Sequence, residues 1–112
     1  METLYFQRPA SASQVQPSLV GYVGSGDLEV MIEPSHGECA EIHIQTSTAG
    51  SEVRWQQIID QITPVIPLPA MRMDIHDFAA TPGVIRLRIE QALEQAQARF
   101  GNKVIPIQFP IN

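Results

Sequence analysis

The sequence is poor in residues that build cross-links and metal sites. Its single cysteine, Cys39, cannot close an intrachain disulfide, which agrees with a reducing cytoplasm. Cys39 and the three histidines lack the spacing of metal ligands. The chain does not open on a basic segment followed by an apolar stretch, and no apolar run is long enough to cross a bilayer. We therefore expect a cytoplasmic protein without a metal, a secretory signal or a membrane-spanning segment.

Positive charge is also scarce. Seven Lys and Arg residues stand against twelve Asp and Glu residues, and the net charge is −5. A nucleic-acid binder needs clustered cations to displace counterions from phosphates, so this class is disfavoured. The net negative charge suits a small acidic protein that docks on basic patches of larger partners, although the need for solubility alone would also explain this charge. The 112 residues suffice for one domain around one hydrophobic core.

The spacing of apolar residues predicts an α+β fold. Residues 1–17 are rich in Pro, Ser, Ala and Gln, so we expect a loosely ordered arm there. Two apolar segments flank Ser25-Gly26, which predicts a hairpin with a two-residue turn that places Val23 opposite Leu28 and Leu19 opposite Ile32.

Further elements follow from alternation and from helical spacing. We expect a third strand near residues 40–45, a helix carrying Trp55 and Ile62, a fourth strand near 71–76, and a last helix that begins at Thr81 and ends at Gly101. The predicted architecture is a two-layer sandwich, a four-stranded sheet with two helices on one face in the order β-β-β-α-β-α. We expect the folded domain to span residues 18–101, and residues 102–112 to form an extended tail.

The spacings contain no nucleophile–base pair, paired carboxylates or phosphate loop, so we assign no catalytic residue. What remains is Ser25 at a hairpin tip, where the flanking Gly24 and Gly26 leave its hydroxyl accessible. Asp27 could hold a metal ion or orient this hydroxyl during phosphoryl transfer. Alternatively, these residues form an ordinary turn in which Asp27 bonds its own backbone, and from the pattern alone this reading is the more common one.

Two long motifs favour a functional role for Ser25 over an ordinary turn. The run LVGYVGSGDLEV at residues 19–30 resembles the prosthetic-group site of the malonate decarboxylase acyl carrier (delta) subunit. The run IHDFAATPGVIRLRIE at residues 75–90 resembles the second signature block of that family, and residues 1–4 and 54–56 are also similar. The citrate lyase acyl carrier (gamma) chain is a more distant relative, which shares mainly the Ser-Gly-Asp core and the Arg-x-Arg helix.

The resemblance implies a specific role for Ser25. This serine would carry 2′-(5″-phosphoribosyl)-3′-dephospho-coenzyme A through a phosphodiester bond, with Gly24, Gly26 and Asp27 as flanking recognition residues. The thiol at the end of that arm would hold acetyl and malonyl groups. The chain itself would be a non-catalytic subunit of a biotin-independent malonate decarboxylase. Its partners would be an acyl transferase (alpha) subunit, the decarboxylase (beta and gamma) subunits and a prosthetic-group transferase, with neither nucleic acid nor membrane involved.

Four further residues are candidate contacts to the arm or to a partner. His76 and Asp77 end the fourth strand, although Asp77 bracing a turn is the more common role for such a residue. Arg86 and Arg88 could pair with the arm's phosphates, or form solvated faces. Two functional alternatives stay open at this point: the citrate lyase carrier, and a non-enzymatic assembly module with unmodified Ser25 and a polar sheet face as its docking surface.

Overall fold

The computed structural model describes residues 1–11 and 15–104, with side chains up to residue 97. Its elements follow in the order β1 (Glu2–Pro9), β2 (Ser18–Gly21), β3 (Asp27–Pro34), β4 (Cys39–Thr46), α1 (Glu52–Ile62), β5 (Met71–Phe78) and α2 (Pro82–Val104). The α+β class is thereby confirmed. Within these residues, neither helix combines the length and apolarity needed to span a membrane.

The strands form one five-stranded sheet in the order β1-β4-β5-β3-β2. Strands β4 and β5 are parallel and are connected through α1, because parallel neighbours need a long crossover connection. The other neighbouring pairs are antiparallel. Strands β3 and β5 are antiparallel neighbours, with Asp27 opposite Phe78. The segment that precedes β3 and the segment that follows β5 therefore meet at one end of the sheet.

Burial alternates along the strands, so one face of the sheet packs into the core. Apolar side chains of both helices join the same core. The predicted apolar stripe on α1 is confirmed, because Trp55, Ile58, Ile59 and Ile62 are buried. Of the stripe predicted for α2, Ile85, Ile89, Ala92, Leu93 and Ala96 are buried, and the Phe100 side chain lies outside the described part of the chain. The opposite strand positions form the outer face, which carries half-buried to exposed Glu29, Met31, Glu41, His43, Arg72, Asp74 and His76. The two-layer arrangement stays a prediction with which this one-sided burial agrees.

The predicted number of strands is wrong, because the expected N-terminal arm contains a strand. β1 pairs with β4 along its whole length, from Glu2 opposite Thr46 to Pro9 opposite Cys39. Leu4 and Phe6 are buried and the residues between and beside them are exposed, which is the alternation of a half-buried strand. Pro9 can end this strand because β1 lies at the edge of the sheet. The boundaries proposed at residues 18 and 101 remain predictions.

The predicted hairpin register is also wrong, by one residue. Ser18 lies opposite Ile32 and Gly21 opposite Glu29, where Leu19 opposite Ile32 was expected. The slip turns Leu19 outward, with 54% of its surface exposed. Its cause is the connection, which occupies residues 22–26 and is therefore longer than a two-residue turn. These residues are called the Ser25 loop below.

Helix α2 starts as predicted and ends later than predicted. The Thr81 hydroxyl accepts a 3.4 Å hydrogen bond from the Val84 amide, as an N-cap should, and Pro82 is the first helical residue. The expected end at Gly101 is wrong, since the helical backbone continues to Val104. Glycine permits a helix end without imposing one, and Pro106 further along the sequence is the stronger stop signal. Residues 105–112 of the predicted tail lie outside the described part of the chain.

Candidate functional site

The Ser25 loop is exposed at its tip and anchored at its base. Ser25 and Gly26 are exposed, and Gly24 is half-buried. The Gly26 amide donates a 2.7 Å hydrogen bond to the carbonyl of Phe78 in β5, and the Asp27 amide donates a 3.1 Å bond to the Gly24 carbonyl. Gly26 has φ +78°, a left-handed conformation that a glycine adopts without steric cost. The loop is thus tied by its backbone directly beside an exposed serine.

Asp27 forms the electrostatic anchor of this loop. Its side chain is nearly buried, with 7% of the residue exposed, and both carboxylate oxygens bind Arg88 of α2. Arg88 Nε lies 3.1 Å from Asp27 Oδ1, and Nη2 lies 2.9 Å from Oδ2, a bidentate geometry. Oδ1 also accepts a 2.7 Å bond from the Leu28 amide. The Asp27 carboxylate is therefore engaged by the protein itself.

This pairing sets the charge states of both groups. The hydrogen bonds from Arg88 lower the pKa of Asp27, burial opposes that change, and the Leu28 amide adds to it. The same contact raises the pKa of Arg88. The sequence left three roles open for Asp27: to hold a metal ion, to orient the Ser25 hydroxyl, or to bond its own backbone. In the structure its oxygens accept bonds from Arg88 and from the backbone amide of Leu28. Among residues 1–11 and 15–104, no cluster of His, Cys, Asp and Glu side chains could hold a metal ion.

Asp77 braces the turn on which the Ser25 loop rests. It is fully buried; its Oδ2 accepts a 2.7 Å bond from the Thr46 hydroxyl and its Oδ1 a 3.0 Å bond from the Ala80 amide. Ala79, which lies between Asp77 and Ala80 in the chain, has φ 62°. This conformation is unusual for a residue with a side chain and needs support from its surroundings. Phe78, whose carbonyl holds Gly26, lies in the same turn. Asp77 thus supports the loop through the backbone.

The other two candidates bind partners away from Ser25. His76 Nδ1 lies 3.3 Å from Glu29 Oε1 on the outer face of the sheet. Arg86 pairs with Glu90 one turn further along α2, at 2.9 Å between Nε and Oε2, and both side chains are partly exposed. Of the predicted set, Gly24, Gly26 and Asp27 are chain neighbours of Ser25, and Arg88 joins this site through Asp27. Asp77 supports it through the turn that contains Phe78.

Tyr22 is a neighbour of the site that was not predicted from the sequence. A Cβ atom at Gly24 would lie 2.6 Å from Tyr22 Cε2 and 3.1 Å from Cδ2, so the ring occupies the space that a side chain at Gly24 would need. The predicted two-residue turn hid this arrangement, because it extended the first strand of the hairpin as far as Val23. The position of Tyr22 three residues before Ser25 was the available signal.

Comparison with known proteins identifies the family. Residues 15–96 match the family model of the malonate decarboxylase delta subunit. The chain belongs to the malonate decarboxylase delta subunit family. It is 52% identical over 96 residues to the malonate decarboxylase acyl carrier protein of Pseudomonas paraeruginosa, a match that covers 86% of this chain and 97% of the relative. The corresponding protein of Azotobacter vinelandii is 50% identical over 95 residues, covering 85% and 96%.

A solved structure agrees with this membership. A crystal structure of a Pseudomonas malonate decarboxylase hetero-tetramer in complex with malonate contains a chain that is 49% identical to this one, with a TM-score of 0.78. The match covers 85% of this chain and 98% of that chain. The resemblance inferred from the motifs at residues 19–30 and 75–90 is therefore confirmed at the level of the family.

Proposed function

We propose that this chain is the acyl carrier subunit of a biotin-independent malonate decarboxylase, with its prosthetic group attached to Ser25 through a phosphodiester bond. The observation that carries the proposal is the exposed Ser25 hydroxyl at the tip of a loop that is anchored at its base by Asp27 and Phe78. A modifying enzyme needs both properties: access to the oxygen, and a backbone that presents it in one geometry. Membership of the delta subunit family supports the assignment.

The surroundings of Ser25 fit a bulky anionic group. A Cβ atom at Gly26 would meet no other atom within 4 Å, so the space on that side is open. On the other side, the atoms closest to Gly24 belong to the exposed, movable side chain of Tyr22. A phosphodiester linked to Ser25 would be next to Asp27, whose charge is compensated by Arg88, so repulsion between two anions is reduced. We infer that these residues accommodate 2′-(5″-phosphoribosyl)-3′-dephospho-coenzyme A.

The chemistry of the arm explains why the chain needs no catalytic side chain of its own. When bound, the group supplies a terminal thiol on which acetyl and malonyl units are held as thioesters, and a thioester stabilises negative charge on the α-carbon better than a carboxylate does. The residues of this chain present the linkage: Asp27 and Arg88 engage each other, and Asp77 is committed to Thr46 and Ala80. The reactions belong to the partners, an acyl transferase (alpha) subunit and decarboxylase (beta and gamma) subunits.

Intact-mass analysis of protein produced together with its modifying enzymes tests the attachment. Wild type should gain the mass of the phosphoribosyl-dephospho-coenzyme A group, and Ser25→Ala should not. Ser35→Ala is the matched control, since Ser35 is also a turn serine and its hydroxyl bonds only the nearby Gly37 amide among the described residues. The attachment to Ser25 is refuted if Ser25→Ala gains the same mass as wild type, or if wild type gains none; the second result would leave the assembly module as the better reading.

Malonate-dependent release of acetate tests the assignment to this complex. A mixture of the partner subunits with modified wild-type chain should release acetate, and the same mixture with Ser25→Ala should not. Activity with citrate as the substrate, and none with malonate, would instead favour the citrate lyase carrier. We further propose a cytoplasmic location and a prosthetic-group transferase as the partner that loads Ser25.

A further inference from the structure

We propose that the ring of Tyr22 is a stacking platform for the purine of the group carried by Ser25. The inference rests on the proposed attachment and deepens it, because it names a binding site on the carrier itself. The phosphoribosyl-dephospho-coenzyme A group contains an adenine ring near the end that is linked to the serine. A planar base tethered there needs a flat apolar partner if it is to leave water.

The position of Tyr22 is the first argument. Its residue surface is 63% exposed, so the ring adds little to the core. Yet the ring lies against the backbone of Gly24, the residue directly before Ser25, as the distances from a hypothetical Gly24 Cβ show. An aromatic ring is therefore held beside the attachment point, with most of its surface available to a ligand.

Geometry at Gly24 is the second argument. Any side chain at this position would collide with Cε2 and Cδ2 of Tyr22, so only glycine lets the ring lie where it does. The collision involves the far end of a flexible side chain, so Gly24→Ala should displace the ring and leave the fold intact. Gly24 is thus a specific handle on the position of the ring.

Tethering is the third argument. Stacking of a free base on a single exposed ring is weak, because the base loses translational freedom when it binds. A base that is linked to Ser25 has an effective concentration on the order of mM at Tyr22, so a contact too weak to detect in free solution becomes populated. In proteins that bind single-stranded nucleic acids, one aromatic side chain can stack on a base without forming hydrogen bonds to it. The Tyr22 ring alone is therefore sufficient for this role.

The chain contains a matched control in its only other tyrosine. Tyr5 in β1 is 51% exposed and its ring lies 4.8 Å from the ring of His43, centroid to centroid. Strands β1 and β2 are the two opposite edges of the sheet, so Tyr5 is far from the loop that follows β2. A base stacked on Tyr22 should not sense a change at Tyr5.

Proton NMR of the loaded carrier tests the proposal. In wild type, the adenine H2 and H8 resonances should lie upfield of their positions in the free nucleotide, because the base lies over an aromatic ring. The upfield shift should be lost in Tyr22→Ser, reduced in Gly24→Ala, and kept in Tyr22→Phe and in the control Tyr5→Ser. Each sample is first checked by intact mass, so that every spectrum comes from fully loaded protein.

The outcomes separate this proposal from the one on which it rests. If loaded wild type has the full mass of the attached group but its adenine resonances lie at the positions of the free nucleotide, the stacking platform is refuted and the attachment to Ser25 stands. The same holds if Tyr22→Ser keeps the upfield shift of wild type. A wild-type chain that gains no mass overturns the attachment and, with it, the stacking platform.

Discussion

Gly21→Ala should be strongly destabilising, because Gly21 sets the point where β2 gives way to the Ser25 loop. Gly21 has φ +78°, and a Cβ atom there would lie 2.0 Å from the carbonyl oxygen of Leu28, which is backbone and cannot move without disturbing β3. Two penalties therefore add. An alanine in the left-handed region costs about 1–2 kcal/mol, and forcing an extra methyl group into occupied space costs about 1–3 kcal/mol. We expect a loss of about 2–5 kcal/mol in the free energy of unfolding.

Two other glycines separate these penalties. Gly26 has the same φ of +78° and no atom near its Cβ position, so Gly26→Ala should cost only the conformational part, about 1–2 kcal/mol. Gly83 lies in the first turn of α2, also with nothing near its Cβ position, so Gly83→Ala should be neutral or stabilising by up to about 1 kcal/mol. The difference between Gly21→Ala and Gly26→Ala isolates the clash with Leu28.

Urea denaturation followed by tryptophan fluorescence measures all three variants. Trp55 is the only tryptophan and is fully buried, so its emission reports global unfolding. If Gly21→Ala costs no more than Gly26→Ala, a side chain at residue 21 does not meet the Leu28 carbonyl, and β2 pairs with β3 in another register near the loop.

Two further predictions concern the ion pair and the first strand. Because Arg88 lowers the pKa of Asp27 below its ordinary 3.8, the pair stabilises the fold at neutral pH and is lost as the pH falls through the lowered pKa. The difference in unfolding free energy between wild type and Arg88→Ala should therefore shrink in acid. Arg86→Ala, which breaks a partly exposed pair within one helix, should have little effect at any pH. An effect of Arg88→Ala that does not depend on pH would contradict this. Phe6→Ala should lower the unfolding free energy measured in urea by about 3 kcal/mol, because Phe6 is buried. The control Gln7→Ala, at an exposed position, should lower it by less than about 0.5 kcal/mol. Small effects of equal size would mean that β1 contributes nothing to the core.

The elements that the sequence predicts well are those whose signals are local. Thr81-Pro82 marks the start of α2, and the stripe from Trp55 to Ile62 marks the buried side of α1, because capping and helical spacing depend only on neighbouring residues. β1 was missed for a local reason as well. The alternation of Leu4 and Phe6 is short, and it is followed by Pro9 and a segment without periodicity.

The contacts of the site could not be predicted, because they join distant parts of the chain. Asp27 and Arg88 are 61 residues apart in sequence, and each has an ordinary local explanation, a turn residue and a helix-surface residue. The same holds for Thr46 and Asp77, which meet only because β4 and β5 are parallel neighbours. Sequence motifs could single out Ser25, but not the bonds that anchor its loop.

Counting the thiols of the loaded protein tests the central claim most directly. The sequence encodes one thiol, Cys39, which lies at the start of β4 and accepts a 2.8 Å hydrogen bond from Gln7. A Cys39→Ala chain therefore has no thiol of its own, and any thiol that it carries must come from an attached group. After loading by its modifying enzymes, Cys39→Ala should react with one equivalent of a thiol reagent, and the double variant Cys39→Ala with Ser25→Ala with none. No reactive thiol in loaded Cys39→Ala, or one that persists in the double variant, would contradict the assignment of Ser25 as the attachment point.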